Sequence, residues 1–118
     1  MRRAWLLAIA PVLAVLSAAH AETAINVQLK DGKVAGERTL RVRQGEDVKL
    51  VVTSDRKIAL HLHGYDIEST AEPETPAVFA FAAKATGRFS VQSIESAAKG
   101  SKGHGHGAAL FYLEVLPR

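Results

Sequence analysis

The 118-residue sequence contains no cysteine, and its only methionine is Met1. Without cysteine the chain has no disulfide, no thiolate nucleophile and no thiolate metal ligand. Any metal site must therefore use imidazole or oxygen ligands. The folded chain must also derive its stability from its hydrophobic core, although small exported domains often rely on disulfides.

The first 21 residues have the pattern of a secretory signal peptide. Arg2 and Arg3 precede the apolar run Ala4–Ala18, and Ala19-His20-Ala21 supplies small residues for cleavage. The apolar run has about 15 residues, whereas a membrane-spanning helix needs roughly 20. We therefore expect cleavage after Ala21 and no membrane span in the mature chain. Cleavage after Ala19 is the alternative, and it would make His20 an N-terminal chelator of Cu(II).

The expected mature chain, residues 22–118, has a nearly balanced charge. It keeps 13 basic and 12 acidic residues, because Arg2 and Arg3 leave with the signal peptide. This balance predicts no nucleic-acid binding. The sequence thus predicts a signal peptide over residues 1–21, a single domain over residues 22–118 and a periplasmic location.

Short segments of alternating apolar and polar residues run along the whole mature chain. This period of two is typical of β-strands, and turns rich in Gly, Asp and Pro separate the segments. About seven such strands predict an all-β sandwich or barrel. The predicted strands are Ile25–Leu29, Leu40–Val42, Val48–Thr53, Ile58–His63, Val78–Phe81, Arg88–Val91 and Leu110–Leu116.

Two His-x-His pairs hold every histidine of the mature chain. His61 and His63 end a predicted strand, where residues two apart share one face. If Leu60 and Leu62 enter the core, both imidazoles point away from it.

The second pair lies in a predicted loop rich in Gly, Ser and Lys, residues 96–107. The glycines around His104 and His106 allow both rings to reach one point. Imidazole is a good ligand for copper and zinc, so His61, His63, His104 and His106 are candidate metal ligands. The alternative is that the first pair lies on the strand surface and the second in a solvated linker.

Patterns typical of enzymes are absent from the sequence. It has no Gly-x-Ser-x-Gly motif, no paired carboxylates and no glycine-rich phosphate loop. We therefore expect a binding protein and not an enzyme. Asp66 follows the first histidine pair, either as a turn residue or as a group that orients a histidine.

Several segments, in this order, resemble small periplasmic cupredoxin-like proteins. The resemblance implies a Greek-key β-sandwich with a copper site at one end. It also implies one ligand from the middle segment, His61 or His63, and further ligands from the loop before the last strand. The matching segments are Gly45-Glu46-Asp47-Val48, Val51-Val52-Thr53-Ser54-Asp55, Leu60-His61-Leu62-His63-Gly64-Tyr65-Asp66, Phe79-Ala80-Phe81, Gly87-Arg88-Phe89 and Leu113-Glu114-Val115.

The chain departs from the blue-copper members of this family at two ligands. Ser93 stands as the counterpart of the family's cysteine, and the axial methionine is missing. A blue-copper site needs the thiolate, so we do not expect a type 1 electron carrier. The expected function is copper sequestration, buffering or delivery through histidines. The alternative is a metal-free module that binds a periplasmic protein partner.

Overall fold

The computed structural model describes Pro11, residues 22–94 and residues 108–118. Within these residues, nine strands form the structure. Apart from Pro11, the predicted signal peptide lies outside the described residues. The strands are β1 Glu22–Lys30, β2 Lys33–Val34, β3 Thr39–Arg43, β4 Asp47–Ser54, β5 Ile58–Leu62, β6 Ile67–Ala71, β7 Ala77–Ala82, β8 Gly87–Ser93 and β9 Phe111–Leu116.

The strands form two sheets, which makes the described part an all-β sandwich. One sheet has the order β2-β1-β4-β7 and the other the order β3-β9-β8-β5-β6. The chain crosses between the sheets several times, and these crossings pair β1 in parallel with β4 and β3 in parallel with β9. The result is the predicted Greek-key β-sandwich.

The core lies between the two sheets and is built by the period-two alternation of the strands. In β4, Val48, Leu50 and Val52 are almost completely buried, while Lys49 and Thr53 are exposed. In β9, the same alternation buries Phe111, Leu113 and Val115. The cysteine-free chain thus has a continuous apolar interior, as expected.

All seven predicted strands are present, and the structure adds two short ones. β2 has only two residues, and β6 reads Ile-Glu-Ser-Thr-Ala. Neither has a strong apolar alternation, so their local sequence carries little strand signal. Each short strand forms through hydrogen bonding to a neighbouring strand: β2 pairs with β1, and β6 pairs with β5.

Within residues 22–94 and 108–118, no helix has the length and apolar character needed to cross a membrane.

Candidate metal centre

The first histidine pair lies on the outer face of the five-stranded sheet. Leu60 and Leu62 are fully buried in the core, which confirms the prediction that these two side chains of β5 face inward. The side chain of His61 is 24% exposed, and His63 follows the strand end and is exposed. The two rings meet edge to face with 4.6 Å between their centroids. Two imidazoles therefore lie side by side, facing away from the core.

The turn after His63 is held against the sheet by its backbone. The His63 amide donates to the Ser90 carbonyl over 2.9 Å, which ties the end of β5 to β8. Gly64 has a φ of +88°, and a Cβ placed there would lie 2.3 Å from Cδ1 of Phe89. Only glycine satisfies both the backbone conformation and this close approach.

Tyr65 anchors the same turn through its side chain. Its ring packs against Phe81 and Phe89 at centroid distances of 4.7 and 4.8 Å. Its hydroxyl donates to the Ala85 carbonyl over 2.9 Å. The segment from His63 to Asp66, named here the histidine turn, is therefore fixed on both sides of Gly64. The sequence patterns did not predict Gly64 and Tyr65 as supports of the site, although both directly follow the histidine pair.

Asp66 completes the histidine turn in a left-handed conformation. Its φ is +53°, which suits a turn residue and which aspartate adopts more readily than most residues. Its Oδ1 lies 3.7 Å from Nε2 of His61. Asp66 is thus a turn residue, and it also brings a carboxylate to the histidine pair.

Ser93 lies on the other side of the sheet from the histidine pair. It is paired with Leu60 and is 5% exposed, so it faces the core at the end of β8. His61 is paired with Gln92 and Glu68, and it shares the outer face with them. The structure therefore does not bring Ser93, the predicted counterpart of the blue-copper cysteine, together with His61.

The second histidine pair, His104 and His106, lies outside the described residues, as does His20. The segment that carries the second pair follows Ile94 and precedes Ala108. Ile94 directly follows the end of β8, the strand that pairs with β5. Among the residues the structure does describe, no group of three or more His, Asp or Glu side chains is arranged to hold a metal ion.

Several solved copper proteins resemble this structure. A heme-copper terminal oxidase matches with a TM-score of 0.60 and 19% identity, over 85% of this chain and 67% of that one. An amicyanin variant in its reduced Cu(I) form matches with a TM-score of 0.50 and 16% identity, over 83% and 87%. The chain has a cupredoxin-like fold.

The Cu-containing nitrite reductase from Thermus scotoductus SA-01 has the same fold over part of its length. It matches with a TM-score of 0.57 and 16% identity, over 83% of this chain but only 28% of that one. At these identities the cupredoxin-like match shows the fold alone. No protein-family model and no curated protein sequence matches the chain.

A type 1 copper site does not fit the residues of this cupredoxin-like chain. The sequence has no cysteine, and Ser93 offers only a hydroxyl on the core side. The histidine pair instead offers imidazole nitrogens on the outer face, with the Asp66 carboxylate beside them. Nitrogen and oxygen donors are therefore present, but these described side chains are not arranged to hold an ion by themselves.

Proposed function

We propose that this protein binds copper in the periplasm through its histidines, and that it sequesters, buffers or delivers the ion without acting as an enzyme. The observation that carries the proposal is the contact between the His61 and His63 rings, with 4.6 Å between their centroids. Two imidazoles held side by side on a rigid strand end provide part of a coordination sphere before the ion arrives. Such preorganisation favours binding, because less side-chain freedom is lost.

His104 and His106 are the proposed source of further imidazole ligands. They belong to the segment between β8 and β9, and β8 is hydrogen-bonded to β5 beside His61. A set of three or four imidazoles without a thiolate suits Cu(II), and Zn(II) is the alternative ion. The periplasmic location rests on the signal-peptide pattern of the first 21 residues.

Titration calorimetry of the purified mature protein with Cu(II) and Zn(II) tests this proposal. We expect one ion to bind per chain. We also expect His61→Ala/His63→Ala and His104→Ala/His106→Ala each to lower the affinity at least about tenfold, because both remove imidazole ligands. Thr70→Ala is the matched control, since Thr70 is exposed on neighbouring strand β6.

Wild-type affinity in the His61→Ala/His63→Ala variant would contradict a site at this face. Full affinity in the His104→Ala/His106→Ala variant would show that the second histidine pair does not bind the ion. Weak binding of several ions with no single stoichiometry would contradict the proposal as a whole.

A metal-free module that binds a periplasmic protein partner is the second candidate function. It is favoured by the missing cysteine and methionine ligands and by the lack of a complete ligand cluster among the described side chains. In that case the sandwich serves as a scaffold, and metal has no effect on its stability.

A further inference from the structure

Strand β1 has an open edge over much of its length. One side of β1 pairs with β4 along almost the whole strand. On the other side, β2 pairs only with Leu29 and Lys30, and the Gln28 carbonyl accepts a hydrogen bond from the Ala35 amide over 2.9 Å. Among the described strands, none covers this side of β1 before Gln28. Residues 22–26 are named here the open edge.

The backbone of the open edge presents donors and acceptors to its surroundings. The Gln28 carbonyl points toward β2, and backbone groups two residues apart on a strand point the same way. The N–H and C=O groups of Glu22, Ala24 and Asn26 therefore point away from β4. No hydrogen bond from another described residue reaches these outward groups. Such a row of backbone groups is a template on which another strand can pair.

Two other sheet edges have protection that the open edge lacks. β3 carries the exposed Arg41 and Arg43, and charged side chains discourage pairing at an edge. On β7, the amide of Val78 donates to the Ser69 hydroxyl over 3.1 Å. Residues 23–27 of β1 instead read Thr-Ala-Ile-Asn-Val, with no charge and no proline. β1 is thus open to pairing where β3 and β7 are not.

The open edge is complementary to a second copy of itself. In antiparallel pairing about a two-fold axis at Ala24, the two Ala24 residues face each other and Glu22 faces Asn26 of the second copy. Because all three residues direct their backbone groups outward, the pairing forms about six hydrogen bonds. It sets a carboxylate beside an amide and brings no like charges together. In the mature chain expected from cleavage after Ala21, the second copy's strand starts opposite Asn26 and does not collide with β2.

We propose that two copies of this chain form a weak dimer by pairing their open edges in antiparallel register about Ala24. The pairing joins the two four-stranded sheets into one continuous sheet. It also covers Thr23 and Ile25, whose half-buried side chains lie on the core side of the edge. One strand edge is a small interface, so we expect dimer at high protein concentration and monomer at low concentration. The histidine pair lies on the other sheet and stays accessible.

Sedimentation velocity of the mature protein from about 10 μM to about 1 mM tests for the dimer. A chelator is present, so that metal cannot link two chains. Asn26→Pro removes an outward N–H but no bond to β4, so it should fold and raise the dimer Kd at least about tenfold. Asn26→Ala is the matched control, because it keeps this N–H and should change the Kd by less than about threefold. Circular dichroism checks that both variants fold.

A single introduced cysteine tests the register, because the chain has no other. Ala24→Cys sets two thiols opposite each other with about 5.5 Å between the Cα atoms, which a disulfide can span. We expect mild oxidation to convert this variant into a covalent dimer on non-reducing electrophoresis. Ala80→Cys is the control. Ala80 is also exposed and lies in the same row of the sheet, beyond Lys49, but on β7 at the opposite edge.

Three results would overturn the proposed dimer. The first is wild-type protein that stays monomeric at about 1 mM. The second is a dimer of unchanged strength in folded Asn26→Pro, and the third is equal crosslinking of Ala24→Cys and Ala80→Cys, because either would place the contact elsewhere. If Asn26→Pro does not fold, the comparison of the two cysteine variants decides.

Discussion

Gly64 lies where the backbone of the histidine turn touches the ring of Phe89. Its φ of +88° disfavours every residue with a Cβ, and the nearest ring atom would be 2.3 Å from that Cβ. These two constraints have separate physical origins, one in the backbone and one in the packing. Gly32 shares the first constraint only, since its φ is +74° and nothing lies within 4 Å of the position a Cβ would take.

We expect Gly64→Ala to lower the free energy of unfolding by about 2–4 kcal/mol, because backbone strain and overpacking add together. Gly32→Ala introduces backbone strain without overpacking, so it should lower the free energy of unfolding by only about 1–2 kcal/mol. Urea unfolding followed by circular dichroism measures both values. Equal losses would mean that the Phe89 ring moves aside at little cost.

Strand β7 shows how alternation divides one element into a core face and a solvent face. Phe79 is fully buried, while its neighbour Val78 is 42% exposed. Both residues are large and apolar, so composition alone does not distinguish them. Their positions in the pleat decide which one packs in the core.

We expect Phe79→Ala to cost about 3–5 kcal/mol of stability, because it leaves a cavity between the sheets. Val78→Lys should change stability by no more than about 0.5 kcal/mol, since the lysine points into solvent. Denaturant unfolding of both variants tests the assignment of faces. If Phe79→Ala is too unstable to purify, Phe79→Leu should still lose about 1 kcal/mol. A larger loss from Val78→Lys than from either change at Phe79 would reverse the assignment.

The complete sandwich should respond to metal as a single cooperative unit. An ion that binds only the folded state stabilises it by about 2.7 kcal/mol when present at 100 times its Kd. For a domain of this size, that raises the melting temperature by about 10–20 °C. The rise should shrink as the pH falls from about 7.5 to about 5, because protons compete with metal for imidazole.

Thermal melts with and without Zn(II) measure this effect, and His61→Ala/His63→Ala is the variant that should abolish it. A melting temperature unaffected by Zn(II) or Cu(II) would support the metal-free module instead. A rise that survives in the double variant would place the bound ion elsewhere on the molecule.

The sequence alone determined the strands with a strong alternation and the side of β5 on which each residue lies. Leu60 and His61 face opposite ways because successive residues of any strand do so, whatever the strand pairs with. The missing cysteine likewise excludes a type 1 copper site on composition alone. These are local or compositional properties, so they can be read from the chain directly.

Only the tertiary structure decided which distant segments meet. The contact of Gly64 with Phe89, the bond from Tyr65 to Ala85 and the pairing of β6 with β5 all depend on the sheet order. The same order places Ser93 on the core face, opposite His61. Local alternation gives each strand its faces but carries no information about its neighbours. Which strands pair depends on the arrangement that buries all the apolar faces together. This arrangement of the strands also brings the Asp66 carboxylate beside the histidine pair.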